Sequence, residues 1–407
     1  MEIISHTYSL PYICYIGFLA ILSLLDFYLI KKGKERDSRI RFAVLLSFSV
    51  FFGLKGFVGR DVFYYFNFFE SIPTIWHWHD YSSEFEIGYQ IYAIIIKSIY
   101  PNFFFFTFVS VLIDAWLIDR IIKRYTKIYV LPFIIFIGFY GIIFEMEQMR
   151  NAKAVLIFMY SLRYVSEKRP VPYVILNAIG LAFHNSAIFY IVIYPLLRKR
   201  LSYASYITIY IIGTIIFATQ FEYIKPLIIN ISSIFGENIQ EKATYYVHSE
   251  MYSQRLIDFG IGFIERSISY ILFTYVLLHI SKRKDEKDEL IPIINTYVLY
   301  FIFYYFFSEI YVVAIRGSAL FIISYIILFC KLYEKIGYDK LKYAYIAIIY
   351  ILVVAKTDRN VHFVEYTYYN VLTEQQPMEA RQQTLETSNK YYKEESEKTY
   401  KQQQWGK

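Results

Sequence analysis

The chain has 407 residues, 57% of them hydrophobic and 21% aromatic, with a formal net charge of +7. A soluble protein of this length would not be so apolar throughout, and the cations fall in loops between apolar runs, as topology selection arranges them, so no nucleic-acid partner is implied. Cys14 and Cys330 both lie inside apolar runs, which excludes a disulfide framework and a cysteine-based metal site.

The first apolar run, 8–30, follows Met1-Glu2-Ile3-Ile4, which lacks the basic stretch of a cleaved signal peptide. It ends at the basic block Lys31–Arg41. This reads as a retained first span with its N-terminus outside and the block in the cytoplasm. Further runs follow at 41–58, 87–100, 103–122, 128–144, 150–165 and 172–195. The last five are 203–221, 259–280, 290–312, 315–333 and 340–355. A helix needs about 20 residues to cross the hydrocarbon layer, and irregular backbone cannot face lipid. The expected fold is therefore an all-α polytopic integral membrane protein of eleven or twelve spans.

The basic loops Ser281–Glu289 and Lys331–Lys342 should also be cytoplasmic, which puts the acidic stretch 59–86 and the polar stretch 222–258 outside. Three basic clusters, Arg120–Lys127, Arg163–Arg169 and Arg198–Arg200, cannot all be inside if every run crosses once. Run 87–100 is short and run 172–195 is split by His184-Asn185-Ser186, so one or both are expected to be broken or re-entrant. No internal repeat of the kind seen in many transporters is visible. The chain divides into a membrane domain, 1–372, and a polar tail, 373–407, expected to be disordered or a surface helix without a site.

Ionisable groups in or beside a bilayer are costly and therefore candidates for function. The first set is Gly59-Arg60-Asp61-Val62-Phe63-Tyr64-Tyr65. If a helix starts there, Tyr64 and Tyr65 fall on the same face as Asp61. Two readings stand: Asp61 is a general base toward a sugar hydroxyl, or it neutralises Arg60 and caps the helix. The second set is Glu147, Arg150 and Lys153, spaced by three so that one helical stripe can carry them. The planar fork of Arg150 suits phosphate oxygens; an ordinary loop with an Arg–Glu pair is the other reading. His184, beside Asn185 and Ser186, is either a packing element or an acid–base group. Glu309 and Arg316 are seven apart and share a face if one helix carries both, as a phosphate contact or a plain ion pair. Glu265-Arg266 and Arg255 are weaker candidates. No nucleotide-binding loop, zinc-protease motif or serine-hydrolase elbow is present.

Three blocks of this chain, in order, resemble the EpsG family of bacterial polysaccharide polymerases, often described as Wzy-type O-antigen or capsule polymerases. They are Gly59–Tyr65 with Glu84-Phe85-Glu86-Ile87-Gly88-Tyr89, then Met149-Arg150-Asn151-Ala152-Lys153-Ala154, then Phe183-His184-Asn185-Ser186-Ala187. Val62 stands where the family has Tyr, and Asn151 where it has Gln. The resemblance implies a GT-C-like membrane glycosyltransferase of the bacterial inner membrane, working on undecaprenyl-diphosphate-linked oligosaccharides as donor and acceptor. Membrane lipid and a chain-length regulator are the further partners implied. Asp61 and His184 are expected to be catalytic, and Arg60, Tyr64, Glu86, Glu147, Arg150 and Arg316 to bind substrate; the resemblance supports Asp61, Glu86, Arg150 and His184, and Arg316 more weakly. No cofactor or metal is called for, because a lipid diphosphate is already an activated leaving group. A flippase for the same lipid-linked units, an O-antigen ligase and a membrane acyltransferase are the competing expectations.

Overall fold

The structure, a computed structural model, describes residues 2–80, 83–234, 236–248, 255–256, 259–281, 283–374 and 377–405. Parts of the 222–258 stretch and Lys282 of the basic loop after Ile280 thus lie outside the described residues. The chain is all-α: the described residues form helices joined by turns, and the only β pairings among them are the isolated bridges Ile4–Phe363 and Lys55–Asn370. Three helices are long and apolar enough to cross a membrane, or up to five if each bent pair counts as one span, against the eleven or twelve expected. Shorter apolar helices, Ile87–Ile99, Val130–Met146 and Pro170–Phe183, account for several of the other runs.

Two compact units form, Met1–Pro195 with Tyr325–Ser388, and Leu196–Ser324 with Asn389–Lys407. In the first, polar side chains set the helix starts. Asp37 accepts from the Arg39 N–H at 2.9 Å, and Asn102 accepts from the Phe105 N–H at 3.0 Å. Asp26, fully buried in the first span, accepts from the Tyr129 and Val130 N–H groups at 2.7 and 3.2 Å and so caps the Val130–Met146 helix from a distance in sequence.

The same unit has a basic face. Lys31 pairs with Asp339 at 3.1 Å, Arg41 with Asp119 at 3.2 Å, Lys127 with Glu35 at 2.7 Å and Arg124 with Glu167 at 3.7 Å. These contacts gather Lys31–Arg41, Arg120–Lys127, Arg163–Arg169 and Lys331–Lys342 together. Ile87–Ile99 is one of the shorter apolar helices, below the length of a single straight span. It opens at Glu86, and near its other end Lys97 donates to Phe69 and Glu70 carbonyls at 2.7 and 2.9 Å while Ser98 accepts from the Ile75 N–H at 2.8 Å. Both ends therefore stay beside the 62–86 segment. The split run behaves as expected: Pro170–Phe183 stops at His184 in extended conformation, and the chain returns so that Tyr194 packs on Tyr173, ring centroids 4.9 Å apart.

At the opposite end of the first unit four stretches meet. The Gly56 N–H donates to Tyr369 at 2.8 Å, the Gly59 N–H to Glu365 at 2.9 Å, and the Ser5 N–H to His362 at 2.8 Å. The polar tail supplies the fourth. Met378–Trp405 is a helix, and its residues through Ser388 group with the first unit. Arg381, Leu385 and Ser388 on it are buried.

In the second unit, Tyr203–Thr219 and Ile224–Ser233 are bent by 101° at a short break. Glu309 caps the latter, accepting from the Tyr223, Ile224 and Lys225 N–H groups at 2.9, 2.7 and 3.3 Å. The Asn295 amide donates to the Leu196, Leu197 and Lys199 carbonyls at 3.0, 3.1 and 2.9 Å, satisfying a chain that has left its helix. Arg266 is buried on the Ile261–Ile280 span with its guanidinium 3.8 Å from the Tyr304 ring centroid.

Candidate functional site

The site grows from Gly59. Its φ of +97° is a left-handed conformation, and a Cβ would stand 2.8 Å from the Met146 carbonyl oxygen. Only glycine lets the 56–61 loop lie so close to the 146–148 turn. That approach places the Arg60 N–H on a Glu147 carboxylate oxygen at 3.2 Å and Arg60 Nε on Glu365 Oε1 at 2.7 Å. The Tyr366 hydroxyl donates to the same Glu147 oxygen at 2.6 Å.

Asp61 follows as the residue preceding the Val62–Ser71 helix. Its carboxylate makes no capping hydrogen bond and is exposed, so the capping reading does not describe it. Tyr64 and Tyr65 do not share one environment. Tyr65 is buried, whereas Tyr64 is 49% exposed and stacks on Phe85, centroids 4.8 Å apart. The Tyr65 phenol feels both Arg150 and Asp61, and burial above all pushes its pKa up to about 12, so it remains a hydrogen-bond donor at neutral pH.

Arg150 stands in the first turn of Met149–Ser166. Its Nη1 donates to Glu86 Oε2 at 2.6 Å, and its guanidinium lies 4.3 Å from the Phe85 ring centroid. The other Glu86 oxygen accepts from the Asn185 N–H at 3.1 Å. One Arg150 donor, Nε, is buried and has no hydrogen-bond partner among the described residues. A buried donor without a partner costs about 1–3 kcal/mol. That cost is relieved when an anionic oxygen reaches it.

His184 Nδ1 accepts from the Ser186 N–H at 3.3 Å and lies 2.7 Å from Ser186 Oγ. An accepting Nδ1 puts the proton of the neutral ring on Nε2. Ser186 Oγ lies 3.3 Å from Asn151 Oδ1, the Asn151 amide donates to Gln148 at 3.2 Å, and Gln148 to the Tyr140 hydroxyl at 3.1 Å. The three sequence blocks are thus one hydrogen-bonded assembly. Beneath it the Ile87–Ile99 and Pro170–Phe183 helices touch: a Cβ on Gly88 would fall 2.7 Å from Ala182. Beside it opens a cavity of about 390 Å³, lined by Glu84, Phe85, Glu86, Ala178, Ala182 and Asn185 among others. That size is near the lower end of small-molecule sites, roughly 300–1,000 Å³.

Two expectations need correction. Glu147, Arg150 and Lys153 do not form one stripe, because the helix begins only at Met149. Glu147 meets Arg60, Arg150 meets Glu86, and Lys153 turns inward to Ser110 at 2.7 Å and to the Asp114 carboxylate. Glu309 and Arg316 do not share a helix either. Glu309 lies before Tyr311–Ala319 and caps another helix, while Arg316 is exposed on the second unit with no ion pair among the described residues. Arg255 is paired with Glu222, and Glu265 accepts from Ser269 at 3.1 Å.

Four functional-looking groups escaped the sequence reading. Glu365, Tyr366 and Arg381 gave no signal, since they follow the last apolar run. Asp114 could have been found: it is a carboxylate within run 103–122, and it is buried with Lys153, Lys55 and Glu145. Lys153→Ala would strand the Asp114 carboxylate, and breaking a buried pair costs about 3–5 kcal/mol. The expected result is a markedly lower melting temperature in detergent, restored by Lys153→Met with Asp114→Leu. Unchanged melting of the single variant would contradict it.

Glu147 offers a pH test. Burial raises its carboxyl above the ordinary 4.5, with Arg60 and Tyr366 opposing. A raised folded pKa gives stability that is complete below about 4.5 and is lost as pH rises through the folded value. Glu147→Gln should therefore melt higher than wild type at pH 8 and converge with it toward pH 4. A gap that widens toward acid would reverse the assignment.

The first unit of this all-α membrane protein thus gathers two arginines, several carboxylates and a histidine in one cluster. The EpsG family model matches residues 38–371, and the chain belongs to that family. It is accordingly a polysaccharide-polymerase-type membrane protein. Comparison with curated proteins and with solved structures gives no match.

Proposed function

We propose that this protein is a glycosyltransferase that joins oligosaccharide repeat units carried on undecaprenyl diphosphate, at the outer face of the bacterial inner membrane. The product would be O-antigen, capsule or exopolysaccharide, with a chain-length regulator as its partner. The observation that carries the reading is Arg150, with one buried donor awaiting an acceptor, in a cluster that also presents an exposed carboxylate at Asp61.

In this reading the growing glycan is the donor. Asp61 takes the proton from an acceptor hydroxyl as its oxygen attacks the anomeric carbon. The bond from that carbon to the diphosphate oxygen breaks, and the electron pair leaves with the diphosphate. Arg150 and Arg60 meet the charge that builds there. Arg316 is kept as a further candidate phosphate contact on the sequence reading alone. The cavity beside Glu86 has carboxylates at Glu84 and Glu86 in its lining and no cation, which suits sugar hydroxyls better than phosphate. His184, linked through Ser186 and Asn151 to Gln148, holds the 184–186 turn that orients Glu86.

The test is the glycan ladder of cells lacking the protein. Single repeat units on the carrier or acceptor, lengthened again by the wild-type chain, support a polymerase. Lipid-linked units that accumulate with none attached point instead to a flippase or ligase.

A further inference from the structure

The polar C-terminal segment reaches the site. Arg381, 2% exposed, directs its planar fork at three carbonyl oxygens: Nε to Phe57, Nη1 to Val364 at 3.1 Å, and Nη2 to Glu365. Phe57 opens the loop that carries Gly59, Arg60 and Asp61. The Glu365 carbonyl that receives Arg381 also receives the Gly59 N–H at 2.9 Å. The Glu365 side chain, fully buried, completes the connection. Its Oε1 accepts from Arg60 Nε at 2.7 Å and its Oε2 from the Ser388 hydroxyl at 2.8 Å. Leu385, one turn from Arg381, belongs to the hydrophobic cluster that includes Phe57, Tyr65, Phe85 and Met149.

A buried guanidinium that donates to three main-chain carbonyls is a brace. It joins two stretches some 300 residues apart in sequence, and one of them is the loop bearing the candidate base. We propose that Arg381 is a positioning residue of the active site, and that the first three turns of the C-terminal helix hold Arg60 and Asp61 in working geometry through the Phe57 and Glu365 carbonyls and the Glu365 carboxylate. This rests on the polymerase reading only for its effect on rate; the brace itself is independent of it.

The experiment uses the full-length protein in detergent, as wild type, Arg381→Ala, Arg381→Lys, Ser388→Ala, Arg60→Ala and the Ser388→Ala/Arg60→Ala double variant. Hydrogen exchange reads the brace without reference to activity. In Arg381→Ala the amides of 56–61 should exchange about tenfold faster or more, while those of Met149–Ser166 keep their protection. Polymer formation from purified lipid-linked units should lose about 100-fold in kcat with KM little changed, as misplacement by an ångström does. Arg381→Lys should recover part of both, because an ammonium reaches fewer than three carbonyls in one plane. Ser388→Ala and Arg60→Ala act through one carboxylate, so their effects on kcat should fall short of additive. Unchanged exchange of 56–61 in Arg381→Ala, or additive effects in the double variant, would overturn the proposal. If Arg381→Ala does not fold, the Ser388 cycle and the exchange of Ser388→Ala decide. A wild-type protein that makes no polymer would count against the proposed function, and the exchange result would still judge the brace.

Discussion

Asp61→Asn is expected to leave the protein inserted and folded while the glycan stays one repeat unit long. The carboxylate is exposed and takes no part in capping the Val62–Ser71 helix, so the amide costs little stability. Exposed substitutions away from special features usually stay within about 0.5 kcal/mol. What the amide cannot do is accept a proton. A positioned general base contributes roughly 10²- to 10⁴-fold, and polymer formation should fall by that factor. Asp61→Glu keeps the base but moves it by a methylene, and should fall between. The measurement is the ladder on a gel beside the amount of protein in the membrane fraction. A normal ladder in Asp61→Asn would remove Asp61 from the chemistry and return the site to Glu86, the carboxylate that lines the cavity.

Some of this arrangement is readable from the chain, and the boundary has physical causes. Helices and the membrane class follow from run length and apolarity, because lipid allows little else. The break at His184 is visible because a polar triplet interrupts an apolar run. The partners are harder. Glu147 and Arg150 sit at spacing three, yet they part because the chain leaves the helix between Met146 and Met149. Spacing rules hold only inside one helix. Asp61 reads as a cap until the backbone shows its side chain making no capping bond. The tail reads as solvated because Gln, Glu and Lys dominate it. Yet one Arg, one Leu and one Ser at 381, 385 and 388, spaced as a helical stripe, suffice to bury a face of it. That stripe is too short to stand out in so polar a segment. Glu365 is the extreme case, a fully buried carboxylate whose value lies entirely in what the fold brings to it.

Arg150→Ala is expected to stop chain growth as completely as Asp61→Asn, but its interpretation needs a second variant. Arg150 has two roles in the structure. It pairs with Glu86, whose side chain is only 10% exposed, and it keeps a buried Nε donor for another acceptor. Alanine removes both. The loss of a donor to a developing anion costs about 10²- to 10³-fold in rate, and the stranded Glu86 carboxylate costs stability besides. The double variant Glu86→Gln/Arg150→Met separates them, since it removes both charges and leaves neither stranded. Its melting temperature should return toward wild type while polymer formation stays low. Arg150→Lys should keep the pair with Glu86 and a positive charge, yet lose the fork over Phe85 and the Nε donor, and so polymerise poorly. If the double variant restored the ladder together with the melting temperature, Arg150 would be a structural partner of Glu86 alone. The diphosphate would then have to be held by Arg60 and by a cation outside this cluster.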